Sequence, residues 1–222
     1  MFESPKLRLR FKKEKRGVYS SHLDLMRTMQ RSFLRAGLPL KYSEGFNPHA
    51  LISILLPLSL GMHSGCELMD FRLREDIPFD EICQKLNLVL PEGIEVLEAY
   101  EAKRKVKELK YLAIEGALEY DELICADIGC ELNNFFSQEN IVIEKKTKRG
   151  MGQSDIAPAI REVKIEAADK GVKIFAVISA QEPTLNPENM INALRQLKPE
   201  LVPDFAEFRR IEVYDAEMQV FR

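Results

Sequence analysis

From Leu7 to Phe11 apolar and basic side chains alternate, the period-two pattern of a strand with one face on a core and the other in water. After a turn signal around Gly17, Ser20 and Ser21 precede Leu23, Leu25, Met26, Met29, Phe33 and Leu34, whose spacing predicts a helix. Gly37 and Pro39 end it near Ala36. Leu51–Leu56, rich in Ile and Leu between Pro48 and Pro57, and the alternating Leu68–Leu73 predict two strands flanking a Gly61–Gly65 loop. Phe79–Leu90 predicts a helix, with Pro78 near its first turn and Pro91 just past its end, and Ile94–Ala99 supplies a last strand.

The order strand, helix, strand, strand, helix, strand is the split-βαβ arrangement of a ferredoxin-like lobe. Lys103–Lys110, charged and without apolar periodicity, is a natural linker. Beyond it the pattern returns: a strand over Leu109–Leu118, a helix over Tyr120–Phe136, a strand over Asn140–Lys145, and a hairpin of Glu162–Ala167 and Val172–Ser179 around Asp169–Gly171. A helix over Pro187–Leu197 and a strand over Phe208–Tyr214 close the chain. The expectation is an α+β protein of two ferredoxin-like lobes, residues 1–102 and 103–222. Each has an antiparallel sheet with helices packed on one face, and the second carries one extra strand.

Composition narrows the class. The 222 residues are 45% hydrophobic and 30% charged, an ordinary globular balance. No apolar run approaches the roughly 20 residues that cross a bilayer, and the N-terminus is charged, so the expected place is the cytoplasm with no membrane contact. Cys66, Cys83, Cys125 and Cys130 sit in unrelated contexts, which favours reduced thiols, with Cys125 and Cys130 read as core. The net charge of -3 hides an uneven layout. Between Lys6 and Lys41 stand Lys6, Arg8, Arg10, Lys12, Lys13, Lys15, Arg16, Arg27, Arg31, Arg35 and Lys41 against only Glu14 and Asp24. Such asymmetry fits either an anionic partner at one face or solvated strand ends and a helix surface.

Two polar stretches could carry chemistry. Tyr19–Arg27 (Y-S-S-H-L-D-L-M-R) puts Ser21, His22, Asp24 and Arg27 at a helix start, where free N–H groups, a hydroxyl and an imidazole can grip phosphate. The plainer alternative is an N-cap beside a surface histidine. Tyr42–His49 (Y-S-E-G-F-N-P-H) joins Ser43 and flexible Gly45 to Phe46, a stacking face, and to Asn47 and His49, which can donate and accept hydrogen bonds. Neighbouring first and third strands would let the two stretches converge in one pocket. Lys148–Ile160 (K-R-G-M-G-Q-S-D-I-A-P-A-I) reads as a mobile basic loop bringing Lys148, Arg149 and Asp155 to a ligand, or merely as a connection. Paired metal-ligand spacing, a G-x-S-x-G elbow and phosphate-binding glycine loops are all absent, so no metal or cofactor is expected.

The motifs S-H-L-D-L-M-R (Ser21–Arg27), A-G-L-P-L-K-Y-S-E-G-F-N-P-H (Ala36–His49), P-L-S-L-G (Pro57–Gly61) and K-R-G to D-I-A-P-A-I resemble those of the radical-SAM-linked domain family, a bacterial group of unknown function. Ala50 and Ala157 depart from the Pro and Arg expected there. The resemblance implies a radical SAM protein as partner, fused or encoded nearby, and a gene neighbourhood of ribonuclease E/G and ribosomal proteins. The chain has no C-x-x-x-C-x-x-C motif, so it looks like the detached accessory half. The leading expectation is a non-catalytic module that binds tRNA or rRNA for that enzyme. One alternative is a metal-independent RNA endonuclease using His22 and His49 as acid and base. The other is a protein-interaction module for the radical SAM partner.

Overall fold

A computed structural model describes residues 4–121, 127–147 and 150–222. The chain is a mixed α/β protein with mostly antiparallel strands and, among the described residues, four α-helices. It divides into two compact units, one running to Glu108 and including Phe221 and Arg222, the other Leu109–Val220.

In the first unit the elements are β1 (Leu7–Lys13), α1 (His22–Arg35), β2 (Ile52–Leu55), β3 (His63–Phe71), α2 (Phe79–Asn87) and β4 (Ile94–Glu101). Its strands lie in the order β4-β1-β3-β2, each pair antiparallel. Leu7, Leu9 and Phe11 of β1 and Met69 and Phe71 of β3 pack with Leu25, Met29 and Phe33 of α1 and Ile82 and Leu86 of α2 into one buried cluster. The opposite face of β1 carries Arg8, fully buried. Its Nε donates to Asp70 Oδ1 at 2.6 Å and its Nη2 to Asp70 Oδ2 at 3.2 Å, while its guanidinium lies 4.9 Å from the Phe221 ring centroid. At the far end of β1, Gly93 (φ +91) approaches Glu14 so closely that a Cβ would stand 2.2 Å from the Glu14 carbonyl oxygen. Only glycine lets the turn before β4 receive the Glu14 N–H at 2.8 Å.

The second unit holds β5 (Tyr111–Glu119), α3 (Ile128–Phe136), β6 (Val142–Thr147), β7 (Gly150–Asp155), β8 (Ile160–Ala168), β9 (Gly171–Ser179), α4 (Glu188–Leu197) and β10 (Phe205–Tyr214). Four strands follow the order β10-β5-β9-β8, and β6 and β7 form a separate two-stranded ribbon. The expected single extra strand is therefore a hairpin. Gly150–Asp155, read as mobile loop, is a strand because each of its residues faces one of β6 in antiparallel register. The helix expected from Tyr120 is observed from Ile128. Tyr120 lies outside it, its hydroxyl donating to the Leu201 carbonyl at 2.9 Å; residues 122–126 fall outside the described residues.

Two further expectations change. The Gly61–Gly65 loop is shorter than its composition suggests, because β3 starts at His63 and Ser64 pairs with Lys13 across a bulge. Cys130, expected in the core, is exposed, whereas Cys66 is buried and Cys83 half-buried; Cys125 lies outside the described residues.

Removing one charge of a buried pair strands the other in a medium of low dielectric. Asp70→Asn is expected to lower stability by about 3 to 5 kcal/mol in urea unfolding. Burial pushes the Tyr100 phenol, which faces Arg8 across β1 and β4, up to about 12 from an ordinary 10. The folded state then holds this proton more tightly than the unfolded one, so its contribution is intact below pH 10 and is lost as pH climbs through 12. Its hydroxyl has no hydrogen-bond partner among the described residues, so Tyr100→Phe should match the wild type in thermal melts at neutral pH and retain more stability above pH 10.

Candidate functional site

The S-H-L-D stretch starts α1. Ser21 is its N-cap, with Oγ accepting from the Asp24 N–H at 3.2 Å and donating to Asp24 Oδ2 at 2.6 Å. Arg27 completes the set, Nη1 donating to Asp24 Oδ1 at 3.4 Å. A carboxylate thus already occupies the place where an anion would sit on the first turn. His22 is exposed, with no hydrogen bond or ion pair among the described residues. This end of α1 is a self-satisfied cap.

The G-F-N-P-H stretch differs. Past α1 the chain forms bridges of Leu40 with Leu73 and of Tyr42 with Ala50, and residues 43–49 make a closed loop between those anchors. Three contacts tie its base: the Ser43 N–H donates to the His49 carbonyl at 2.8 Å, the His49 N–H to Ser43 Oγ at 3.1 Å, and Ser43 Oγ meets His49 Nδ1 at 2.9 Å. Gly45 turns the tip with φ +118, a region that disfavours side chains. Phe46 stands there fully exposed, with Asn47 exposed beside it.

At the foot of this loop lies an open groove of about 430 Å³ lined by Ser4, Lys41, Tyr42, Ser43, Pro48 and Arg74. The Arg74 guanidinium is 5.8 Å from the Tyr42 ring centroid. Neither Lys41 nor Arg74 has an acidic partner among the described residues. Sequence reasoning counted Lys41 in the basic region and Tyr42 in the polar stretch without giving either a ligand role, and it missed Arg74. The three meet because the Lys41 N–H donates to the Arg72 carbonyl at 2.8 Å, a register no local pattern announces.

The expected convergence of the two stretches does not occur, although β1 and β3 are neighbours as supposed. Ser21 sits at the end of α1 near the last residues of β1, where Lys13 Nζ donates to the Ser20 carbonyl at 3.0 Å. The 43–49 loop follows the other end, beside the residues after β3. The fourteen residues of α1 separate them by roughly 20 Å, so His22 and His49 do not face a common phosphodiester.

Asp155 is also a structural residue. Its Oδ1 accepts the Ile141 N–H at 2.8 Å and the Ala157 N–H at 3.0 Å, closing the base of the β6–β7 ribbon. Lys148 and Arg149 lie outside the described residues. The basic N-terminal region is largely neutralised within the unit. Arg8 pairs with Asp70, Arg10 with Glu98 at 3.3 Å, Lys12 with Glu95 at 2.7 Å and Lys15 with Glu92 at 3.2 Å.

With this geometry in view, residues 6–187 match the family described as "Uncharacterized protein conserved in bacteria (DUF2344)". The chain belongs to that family. No curated protein matches it. Among solved structures it is similar to the "Crystal Structure of an Unknown Protein from Galdieria sulphuraria", at 10% identity over 94% of this chain and 99% of the other, with a TM-score of 0.27. The candidate site of this DUF2344 chain accordingly rests on its own side chains: Phe46 at the tip of a tied loop whose foot borders the groove of Lys41, Tyr42 and Arg74. No helix among the described residues is long and apolar enough to cross a membrane.

Ser43 contributes both the acceptor for the His49 N–H and the contact to its ring, so Ser43→Ala should untie the loop. Amide hydrogen exchange at His49 is expected to accelerate, with exchange in the β1 and β3 core unchanged.

Proposed function

We propose that this chain is an accessory RNA-binding module, with tRNA or rRNA as partner, that works in the cytoplasm beside a radical SAM enzyme in RNA modification or maturation. In this reading the two units are ferredoxin-like lobes. The strand orders β4-β1-β3-β2 and β10-β5-β9-β8, each with two helices in the matching places in the chain, support that assignment.

One observation carries the reading: a fully exposed phenylalanine at the tip of a cross-tied loop whose foot borders a groove holding two cations without acidic partners among the described residues. Exposing a large apolar ring costs free energy unless something stacks on it. An unpaired base is a flat π-face tethered to a phosphate, and so calls for an aromatic platform with a positive charge a few ångström away. Phe46 supplies the platform, Asn47 and His49 offer hydrogen-bonding groups for a base edge, and Lys41 and Arg74 offer phosphate contacts. Duplex RNA does not suit the site, because its bases are stacked inside the helix.

The endonuclease alternative loses its joint acid and base once a whole helix stands between His22 and His49.

Fluorescence anisotropy with a labelled single-stranded oligoribonucleotide of mixed sequence tests the proposal. Phe46→Ala is expected to weaken binding by about 1 to 3 kcal/mol, or roughly 5- to 150-fold, while Phe46→Trp retains it. An intact protein that binds no RNA at low salt overturns the reading.

A further inference from the structure

The outward surface of α1 does not follow the charge layout of the other helices. On α2 the half-buried Lys85 meets Glu81 at 2.7 Å, and on α4 Arg195 meets Glu188 at 3.0 Å, so their cations are balanced on the same helix. On α1 the exposed arginines are Arg27, Arg31 and Arg35, one every fourth residue, and the helix has a single acid, Asp24. That acid is committed to the cap through the Ser21 hydroxyl at 2.6 Å and reaches only Arg27, at 3.4 Å. Arg31 has no partner among the described residues. Arg35 donates to neutral acceptors, Ser32 Oγ at 3.2 Å and the Val89 carbonyl at 2.7 Å, which fix its guanidinium without cancelling its charge.

Spacing of four residues places successive arginines about 6 Å apart along the axis and nearly in line, so the three form a ridge of roughly 12 Å. The ridge ends at Arg35, at the end of α1 from which the chain leaves for Lys41 and the Phe46 loop. A surface helix that only needed solubility would intersperse both signs, as α2 and α4 do.

We infer that the Arg27, Arg31 and Arg35 ridge is a phosphate track that carries the backbone of the strand whose base stacks on Phe46. The inference rests on the RNA-binding reading and extends it: the strand runs along α1 toward the loop, ridge contacts reading phosphate alone and loop contacts reading bases. Arginine suits the task because its planar fork can grip phosphate oxygens in pairs.

Each phosphate neutralised on a single strand contributes about 0.7 to the slope of log affinity against log salt concentration. Salt titrations of the same labelled oligoribonucleotide are therefore compared for wild type, an Arg27→Gln/Arg31→Gln double variant, the triple variant that adds Arg35→Gln, and Phe46→Ala. Glutamine preserves helix propensity, and the double variant spares the Arg35 contacts should the triple unfold. The expected result is a slope shallower by about 1.4 in the double and by about 2 in the triple, with Phe46→Ala weaker at every salt concentration and its slope unchanged. RNA binding that keeps the wild-type slope in the double variant overturns the track while leaving the Phe46 reading intact, and makes an acidic protein the occupant to seek on that ridge. Absence of RNA binding by the wild type sinks both.

Discussion

The first unit depends on an ion pair held out of water. Transferring Arg8 and Asp70 into the interior costs several kcal/mol per charge before any attraction is counted. The cost is offset because the fork is bidentate and because Arg8 Nη2 also donates to the Arg104 carbonyl at 3.2 Å. The Phe221 ring meets both the Arg8 and the Arg104 guanidiniums, 4.9 and 5.0 Å from its centroid, and adds a cation–π contact to each. Such a pair is a register lock. Arg8 and Asp70 are direct partners across β1 and β3, and a one-residue slip would drive the guanidinium into the apolar cluster around Leu9 and Phe11. What sits beside each strand end follows from that register. Lys13 reaches the Ser20 carbonyl at the start of α1, and Leu40 meets Leu73 at the opposite end, bringing Lys41 and Arg74 to one groove.

Local signals wrote much of this architecture legibly. The alternation at Leu7–Phe11 and the spacing of Leu25, Met29 and Phe33 depend on periods of two and 3.6, which a reader can see without knowing the partner strand. The same alternation misled about charge. Arg8, Arg10 and Lys12 read as a solvent-facing positive row, yet Arg8 is fully buried against Asp70 of β3, and Arg10 and Lys12 are half-buried against Glu98 and Glu95 of β4. The neutralising carboxylates stand 62 residues away for Arg8 and 88 for Arg10, beyond the reach of a local count. Composition also concealed β7, whose Gly, Gln and Ser suggest a loop until the ladder with β6 supplies its hydrogen bonds.

The candidate site divides in the same way. Gly45, Phe46 and Asn47 announce an exposed turn with an aromatic tip because those properties belong to the residues themselves. Ser43 and His49 close on each other over six positions, still a local event. The pairing of this loop with the S-H-L-D segment failed for a global reason. Both stretches adjoin α1, one before and one after, and a rigid helix of that length holds its two flanks apart. Adjacency in a list of motifs is not adjacency in space.

Internal neutralisation decides how such a chain can hold an anionic partner. With a net charge of -3 it has no general attraction for a polyanion. Lys12 and Lys15, which would have supplied one, are paired with Glu95 and Glu92. Among the described residues Arg31, Arg35, Lys41 and Arg74 have no acidic partner, and they lie from the outward side of α1 to the groove at the end of α1 that leads into the Phe46 loop. Attraction confined to so few charges gives weak, salt-sensitive capture, and discrimination then falls to the ring and hydrogen-bonding groups of the loop. The loop can discriminate only if it is rigid before the partner arrives, since ordering it on contact would consume the modest stacking energy available. The Ser43 and His49 ties provide that rigidity, and they stand on bridges at Leu40 and Tyr42 that the Arg8–Asp70 register ultimately sets.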